Sequence, residues 1–439
     1  MKKTQGKAFF KKSWLLLSLT CFWLSSCQSL RYNFTNRDIT KELNKSQIFS
    51  EQFTGFTLFD PEDNNYLCNY NDHLPFTPAS NIKILTTLAC LENIGDSIAT
   101  FKFSRNGDSV FITPLADPTF LHPDFPHQPA SNFLKNKNVF LNYPEPGLKR
   151  FGPGWAWDDY EYDYQPEKSY FPIYGNVVRV FNQNDSLKIV PDFFMNYTQL
   201  YVGERPGNLI YRSESANIFN AWIESDTSTY EREIPFIYSN ELLTELLKDT
   251  LGTNITTVNK TLDSDSLLLS QSKTYALAMM MHPSDNFMAE HLLMHCALMN
   301  GYTSVNAYRK QLMTEWSEFL PDHMRWVDGS GLSRYNLVSP RNMVSMLNRI
   351  YQNQDWNTIT SIFPAGGVSG TLKNWYKSDE PYLYAKTGTL SNNHSLSGYL
   401  ITDSGKKLIF SLMNNHYLNP TLDVKNEMEA LLLKIKEAY

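Results

Sequence analysis

The chain has no apolar run long enough to cross a bilayer. A spanning helix needs about 20 apolar residues, and the segment Trp14 to Leu24 falls short of that. No internal repeat or low-complexity tract interrupts the 439 residues. Basic blocks are missing beyond the N-terminus. Removing residues 1–26, which hold five lysines and no acidic residue, takes the formal net charge from −6 to −11. An acidic chain without a basic patch excludes nucleic acid as a partner. Cysteine is scarce. Past Cys27 only Cys68, Cys90 and Cys296 remain, an odd number that excludes complete internal pairing. Cys90 and Cys296 lie on apolar helical faces and read as buried thiols. Histidines are scattered. His291 and His295 stand one turn apart beside Glu290, but no third ligand accompanies them, so they read as helix residues. Neither a metal nor an organic cofactor is expected.

The N-terminus sets the expected compartment. Met1 to Lys12 is basic, Trp14 to Leu24 apolar, and Leu24-Ser25-Ser26-Cys27 resembles a bacterial lipobox. The expectation is a lipoprotein signal peptide over 1–26 and a diacylated Cys27 that anchors the chain to a bacterial membrane, facing the periplasm. Gln28 does not choose between inner and outer membrane. Residues 27–44 read as a linker.

Three short motifs carry the chemistry, and their order matters more than any one of them. Ser80-Asn81-Ile82-Lys83 comes first, Ser284-Asp285-Asn286 second and Lys386-Thr387-Gly388 third. Ser-x-x-Lys spacing recurs at Ser270/Lys273 and Ser404/Lys407, so context must select. Thr77 suits an N-cap and Pro78 a first helical position, and Ile82, Leu85 and Ala89 follow at helical spacing. Ser80 then sits in the first turn of a buried helix, where a free backbone N–H faces outward. Lys83 lies one turn on and can reach its hydroxyl. Ser404/Lys407 flank Gly405 in a polar turn, and Ser270/Lys273 read as the polar start of another helix. Pro283 breaks an apolar helix before Ser284, and a new helix runs from Phe287 to about Met299, ended by Asn300-Gly301. Lys386-Thr387-Gly388-Thr389 begins three strand-like runs separated by polar turns, an antiparallel meander with the motif on its edge. Gly388 would let a substrate backbone approach. Lys386, Thr387 and Thr389 offer an ammonium and two hydroxyls to a carboxylate.

Together these motifs match the signature of penicillin-recognising serine enzymes. The chain resembles the class C, low-molecular-mass penicillin-binding proteins, D-Ala-D-Ala carboxypeptidases and endopeptidases of the penicillin-binding-protein-4 type. The residues that carry the resemblance are Pro78 to Lys83 with Thr86-Thr87, the glycine-rich run Val327 to Arg334, Phe363 to Leu372, and Ala385 to Leu390. The third run departs from the family pattern at Phe363 and Gly366 and is assigned no catalytic role. The resemblance implies an α+β fold, an antiparallel sheet flanked by helices with a large β-rich insert. It implies acyl transfer through Ser80, with Lys83, Ser284, Asn286 and Lys386 catalytic and Thr387, Gly388 and Thr389 binding substrate. The N–H groups of Ser80 and Thr389 would hold the oxyanion. Ser284, linked to Lys83 and Lys386, would relay a proton. The loop Asp328 to Arg334 would be a wall of the cleft. Peptidoglycan peptides and β-lactams are the implied partners. A β-lactamase or esterase on the same fold, and a non-catalytic cell-wall-binding lipoprotein, stay open, as does the oligomeric state.

A nested layout follows. Residues 45–100 and 266–439 are expected to form the catalytic domain, and Gly55 to Phe59 to join strands from after residue 380. Residues 101–265 are the insert, with hairpins near Asn106-Gly107 and Asn182 to Ser186 and a helix over Asn240 to Leu251. Gly154-Trp155-Ala156-Trp157-Asp158-Asp159 and the tyrosines after it resemble an aromatic stretch of the family's insert, either core or a glycan-binding groove.

Overall fold

Strands far apart in sequence build the sheet on which the site stands. Its order is Leu383–Leu390, Asn393–Ile401, Lys407–Asn415, Phe53–Asp60, Asn65–Tyr70. The motif strand Leu383–Leu390 is therefore an edge, and every pairing is antiparallel. Phe53–Asp60 closes onto the C-terminal meander, with Phe56 opposite Leu412 and Phe59 opposite Ile409. This computed structural model describes residues 34–143, 148–183, 186–202, 210–223, 230–259 and 266–439. The basic start, the apolar run and Cys27 lie outside the described residues.

Period-two alternation gives the sheet two apolar faces. On one, Phe56, Leu396, Leu408, Phe410 and Leu412 pack against Val424, Met428, Leu432 and Ile435 of the C-terminal helix Thr421–Ala438. On the other, Phe59, Tyr399, Ile409 and Met413 meet the helices Lys83–Asn93, Asn286–Met299 and Pro340–Asn353. The architecture is α+β, as expected.

The expected linker is not one throughout. Asn36–Lys45 is a helix. Thr35 and Asp38 form a reciprocal capping box, with the Thr35 N–H donating to Asp38 Oδ2 at 3.0 Å. Ile39 and Leu43, one turn apart, are fully buried against the C-terminal helix and sheet. Only two apolar side chains commit this polar segment, too few to stand out by periodicity.

A second five-stranded sheet has the order Asn254–Val258, Asn138–Asn142, Ser109–Pro114, Ser97–Asn106, Leu267–Ser272. Two three-stranded sheets accompany it. This region has its own core, including Phe101, Phe171, Phe194, Phe219, Phe236, Leu243 and Leu246. Two neighbouring strands of the five-stranded sheet cross the expected boundaries. Ser97–Asn106 starts before residue 101, Leu267–Ser272 lies after 265, and the two pair with each other. The chain thus leaves and returns through one antiparallel pair, which makes 97 and 272 the physical edges of the insert we propose.

Candidate active site

Ser80 lies in a 3-10 turn, Ala79–Ile82, that leads into the helix Lys83–Asn93. Thr77 does not cap it with its side chain. The Thr77 backbone is tied to Asn415 instead, its N–H donating to Oδ1 at 2.7 Å and its carbonyl accepting from Nδ2 at 3.1 Å. Ala79 holds a left-handed φ of 50°, a strained choice for alanine. The fully buried Asn81 donates from Nδ2 to the Lys386 carbonyl at 2.9 Å. It thereby stitches the serine turn to the motif strand. A Cβ on Gly388 would stand 2.4 Å from the Pro78 carbonyl oxygen, so glycine is required where the two backbones meet.

Lys83 is completely buried. Its Nζ donates to Ser80 Oγ at 3.0 Å, Asn286 Oδ1 at 2.6 Å and the Ser330 carbonyl at 2.8 Å. Three partners account for the three protons of an ammonium. Burial pushes the lysine down to about 8, while Asp285, Asp328 and Glu290 pull the other way. Its free-base form is therefore accessible near neutral pH.

The Ser284 link is strained in the same sense as Ala79, with Ser284 at φ 68°. Asp285 caps the next helix by accepting from the Met288 N–H at 2.8 Å, which puts Asn286 at its first position. Ser284 Oγ accepts from Lys386 Nζ at 2.9 Å, and Lys386 also donates to the Thr387 carbonyl at 2.8 Å. Burial, reinforced by the charge of Lys83, drives Lys386 well below the ordinary lysine range. The structure thus makes two arms, Ser80–Lys83–Asn286 and Ser284–Lys386. The expected Ser284–Lys83 bond is replaced by Asn286, because the donors of Lys83 are already committed.

Two residues beyond the expected set join the motif strand. Thr371 Oγ1 and Thr387 Oγ1 are 2.7 Å apart. Thr371 belongs to the run to which the sequence assigned no role. It is held by its N–H to the His282 carbonyl at 3.1 Å, just before Ser284. Thr389 Oγ1 lies 2.8 Å from His394 Nδ1 across the strand pair. Burial and the nearby Lys425 and Lys386 push His394 down to about 3, so it stays neutral and cannot supply charge to an anion.

The glycine-rich loop does more than wall the cleft, since its Ser330 carbonyl receives Lys83. The aromatic stretch of the insert is not core. Trp155 Nε1 donates to Asp328 Oδ2 at 2.9 Å, and the Tyr164 carbonyl accepts from Asn286 Nδ2 at 2.8 Å. Trp157 is 73% exposed. His291 and His295 serve the same junction. His291 Nε2 accepts from the Ser169 N–H at 3.1 Å, and His295 Nδ1 lies 2.7 Å from the Leu115 carbonyl oxygen. The rival serines sit elsewhere. Ser270 is in the strand Leu267–Ser272, not at a helix start, and Lys273 Nζ donates to the Ile94 carbonyl at 2.8 Å. Ser404 is in a turn.

The profile of the D-Ala-D-Ala carboxypeptidase 3 (S13) family matches residues 35–134 and 226–436. D-alanyl-D-alanine carboxypeptidase DacB of Haemophilus influenzae is 32% identical over 180 residues, 39% of this chain and 37% of that protein. The D-alanyl-D-alanine carboxypeptidase of an Actinomadura species is 38% identical over 100 residues, 21% of this chain and 18% of that one. The aligned stretches thus span well under half of these relatives. Among solved structures, penicillin binding protein 4 of Haemophilus influenzae matches with a TM-score of 0.69 at 19% identity, over 91% of this chain and 99% of that one. The same protein has also been solved in complex with a β-lactam. This likeness is one of fold.

Proposed function

The chain belongs to the D-Ala-D-Ala carboxypeptidase 3 (S13) family, and from that premise we propose that it is a penicillin-binding serine D-Ala-D-Ala carboxypeptidase and endopeptidase of peptidoglycan. The observation that carries this reading is the 3.0 Å contact between Ser80 Oγ and the Nζ of a fully buried Lys83, an amine that burial pushes down to about 8. A buried amine of that basicity can take the serine proton as the oxygen attacks.

The proposed reaction runs in two halves. Lys83 accepts the Ser80 proton, and Oγ bonds to the carbonyl carbon of the penultimate D-Ala. The oxyanion lies between the backbone N–H groups of Ser80 and Thr389, on the two segments that Asn81 and Gly388 hold together. As the C–N bond breaks, the leaving amine takes a proton from Ser284, which Lys386 resupplies through their contact, while the Ser80 proton stays on Lys83. Asn286 aligns the substrate amide. Water then cleaves the serine ester: its hydroxide goes to the acyl carbon, its proton to Lys386, and the proton on Lys83 returns to Ser80. A β-lactam would acylate the same serine through its ring carbonyl.

Lys386 and Thr387 are proposed to hold the terminal carboxylate. Lys386→Ala or Thr387→Ala should therefore impair removal of a terminal D-Ala more than acylation by an uncharged thioester. Losing one charge-assisted contact costs roughly 1.5–3 kcal/mol, about one to two orders of magnitude in kcat/KM. Lys386→Ala should retain some loss on the neutral substrate, because Ser284 leans on it. Equal losses on both substrates would mean that these residues do not read the carboxylate.

We propose the periplasmic face of a bacterial membrane as the location, with Cys27 as the lipid anchor. The support is the short apolar run ending at Leu24-Ser25-Ser26-Cys27. Cys27→Ala should give an unprocessed or mislocalised precursor in cell fractionation. A soluble, normally processed product from the unmutated gene would remove the anchor.

A further inference from the structure

Glu290 lies one turn beyond Asn286 on the same helix and is almost fully buried. A carboxylate in such a place needs donors, and one oxygen of this group takes three. Glu290 Oε1 accepts from the Gly329 N–H at 2.8 Å, the Ser330 N–H at 2.8 Å and Ser330 Oγ at 2.7 Å. The Ser330 carbonyl, on the other side of the same residue, is the one that receives Lys83. The loop is clamped on every side. Its Gly329 carbonyl accepts from Thr86 Oγ1, three residues past Lys83, at 2.7 Å. A Cβ on Gly329 would lie 2.7 Å from the Ala289 carbonyl oxygen, and one on Gly331 would lie 1.9 Å from that of Ala79. Asp328 holds the far end, through the N–H groups of Gly331 at 2.9 Å and Ser333 at 2.6 Å.

Resting on the reading of Ser80 and Lys83 as nucleophile and base, we propose that Glu290 is a positioning residue for that base. It fixes the Gly329–Ser330 backbone so that the Ser330 carbonyl holds the Lys83 amine against Ser80. Thr86 and Glu290 hold the two ends of the Gly329–Ser330 peptide, through the Gly329 carbonyl and the Ser330 N–H, and Asp328 holds the next peptide through the Gly331 N–H; Glu290 alone also fixes the Ser330 side chain. The role is also electrostatic. The charged groups that face this pair are Asp285 and Asp328 near Lys83, Lys168 and Arg309 near Glu290, and Lys386 beside Lys83. Burial and Asp328 push the Glu290 carboxyl up, Lys168 and the Ser330 donors pull it back, and in its charged form Glu290 is one of three carboxylates that favour the protonated lysine.

Two consequences separate positioning from mere structural support. Glu290→Gln keeps the side-chain shape and removes the charge. The plateau rate of acylation by a fluorescent penicillin should fall about tenfold to a hundredfold, since a base displaced by about 1 Å loses up to about a hundredfold. The acid limb of the pH profile should move to lower pH, because the lysine loses a neighbouring negative charge and gives up its proton more readily. Ser330→Ala removes one donor and no charge, so its plateau should fall by less and its acid limb should stay in place. Full-length protein is used, with Ser80→Ala beside it. If the unmutated chain is not labelled at Ser80, the reading of the nucleophile fails, and this proposal with it. If it is labelled, and Glu290→Gln keeps both plateau and acid limb, only the positioning role is overturned. Should Glu290→Gln not fold, Ser330→Ala decides alone: an unchanged plateau overturns the proposal.

Discussion

Ser80→Ala is expected to abolish covalent labelling by penicillin and to cut release of D-Ala from a D-Ala-D-Ala peptide on the order of 10⁴-fold or more. In the proposed reaction the hydroxyl is the atom that becomes the ester, and neither rival serine stands beside Lys83. Ser270 sits in a strand bonded toward the Ile98 carbonyl, and Ser404 is in a distant turn. The protein should stay folded. Ser80 contributes one hydroxyl contact, to Lys83, while the turn itself is held by Asn81, Gly388 and Gly331. Labelling by mass spectrometry and a thermal unfolding curve measure both halves. Retained labelling, above all on a peptide containing Ser270 or Ser404, would show that the nucleophile is another residue.

Replacing Lys83 should cost about 10²–10⁴-fold in acylation, the usual contribution of a positioned general base. Lys83→Arg is the sharper test, because a guanidinium keeps the charge and cannot give up its proton. In the unmutated protein burial pushes the lysine down to about 8. The acylation rate should therefore rise about tenfold per pH unit below 8 and level off above, since only the free amine accepts the serine proton. Lys83→Arg should lose both the rate and this rise. An arginine variant that acylates at the normal rate would mean that the lysine acts as a fixed charge and not as a base.

What the sequence revealed divides along local and non-local lines. The motif strand could be placed because Tyr382 to Met413 falls into strand-like runs separated by polar turns. The helix after Ser284 could be placed because Pro283 and Asn300-Gly301 bracket an apolar run. These are local signals. The two arms of the site were only half legible. Lys83 reaching Ser80 follows from helical spacing, but its choice of Asn286 over Ser284 depends on the left-handed Ser284 and the Asp285 cap, which fix where each side chain points. Thr371 was overlooked because its run departs from the family pattern at Phe363 and Gly366, although its Gly370-Thr371-Leu372 end keeps it. Gly370 is where the fold needs it, since a Cβ there would stand 2.4 Å from the His282 carbonyl oxygen. The Ser330 carbonyl could not be read at all. A backbone group carries no residue signature, and its position comes from Glu290, Asp328 and two glycines meeting from separate segments. The N-terminal helix was lost for the opposite reason, because Ile39 and Leu43 among polar residues look like a solvated tether until the sheet covers them.

The insert shares that non-local character. Its aromatic stretch reads as core by composition, yet Trp155 and the Tyr164 carbonyl reach outward to Asp328 and Asn286. The insert thus touches the same loop and the same amide that flank Lys83.

The most direct test of the central claim is to map the penicillin adduct on the unmutated protein. The chain is incubated with a penicillin, quenched and digested, and the modified peptide is sequenced by mass spectrometry. One added penicillin is expected, in ester linkage to Ser80. An unmodified chain, or an adduct on any other residue, would contradict it.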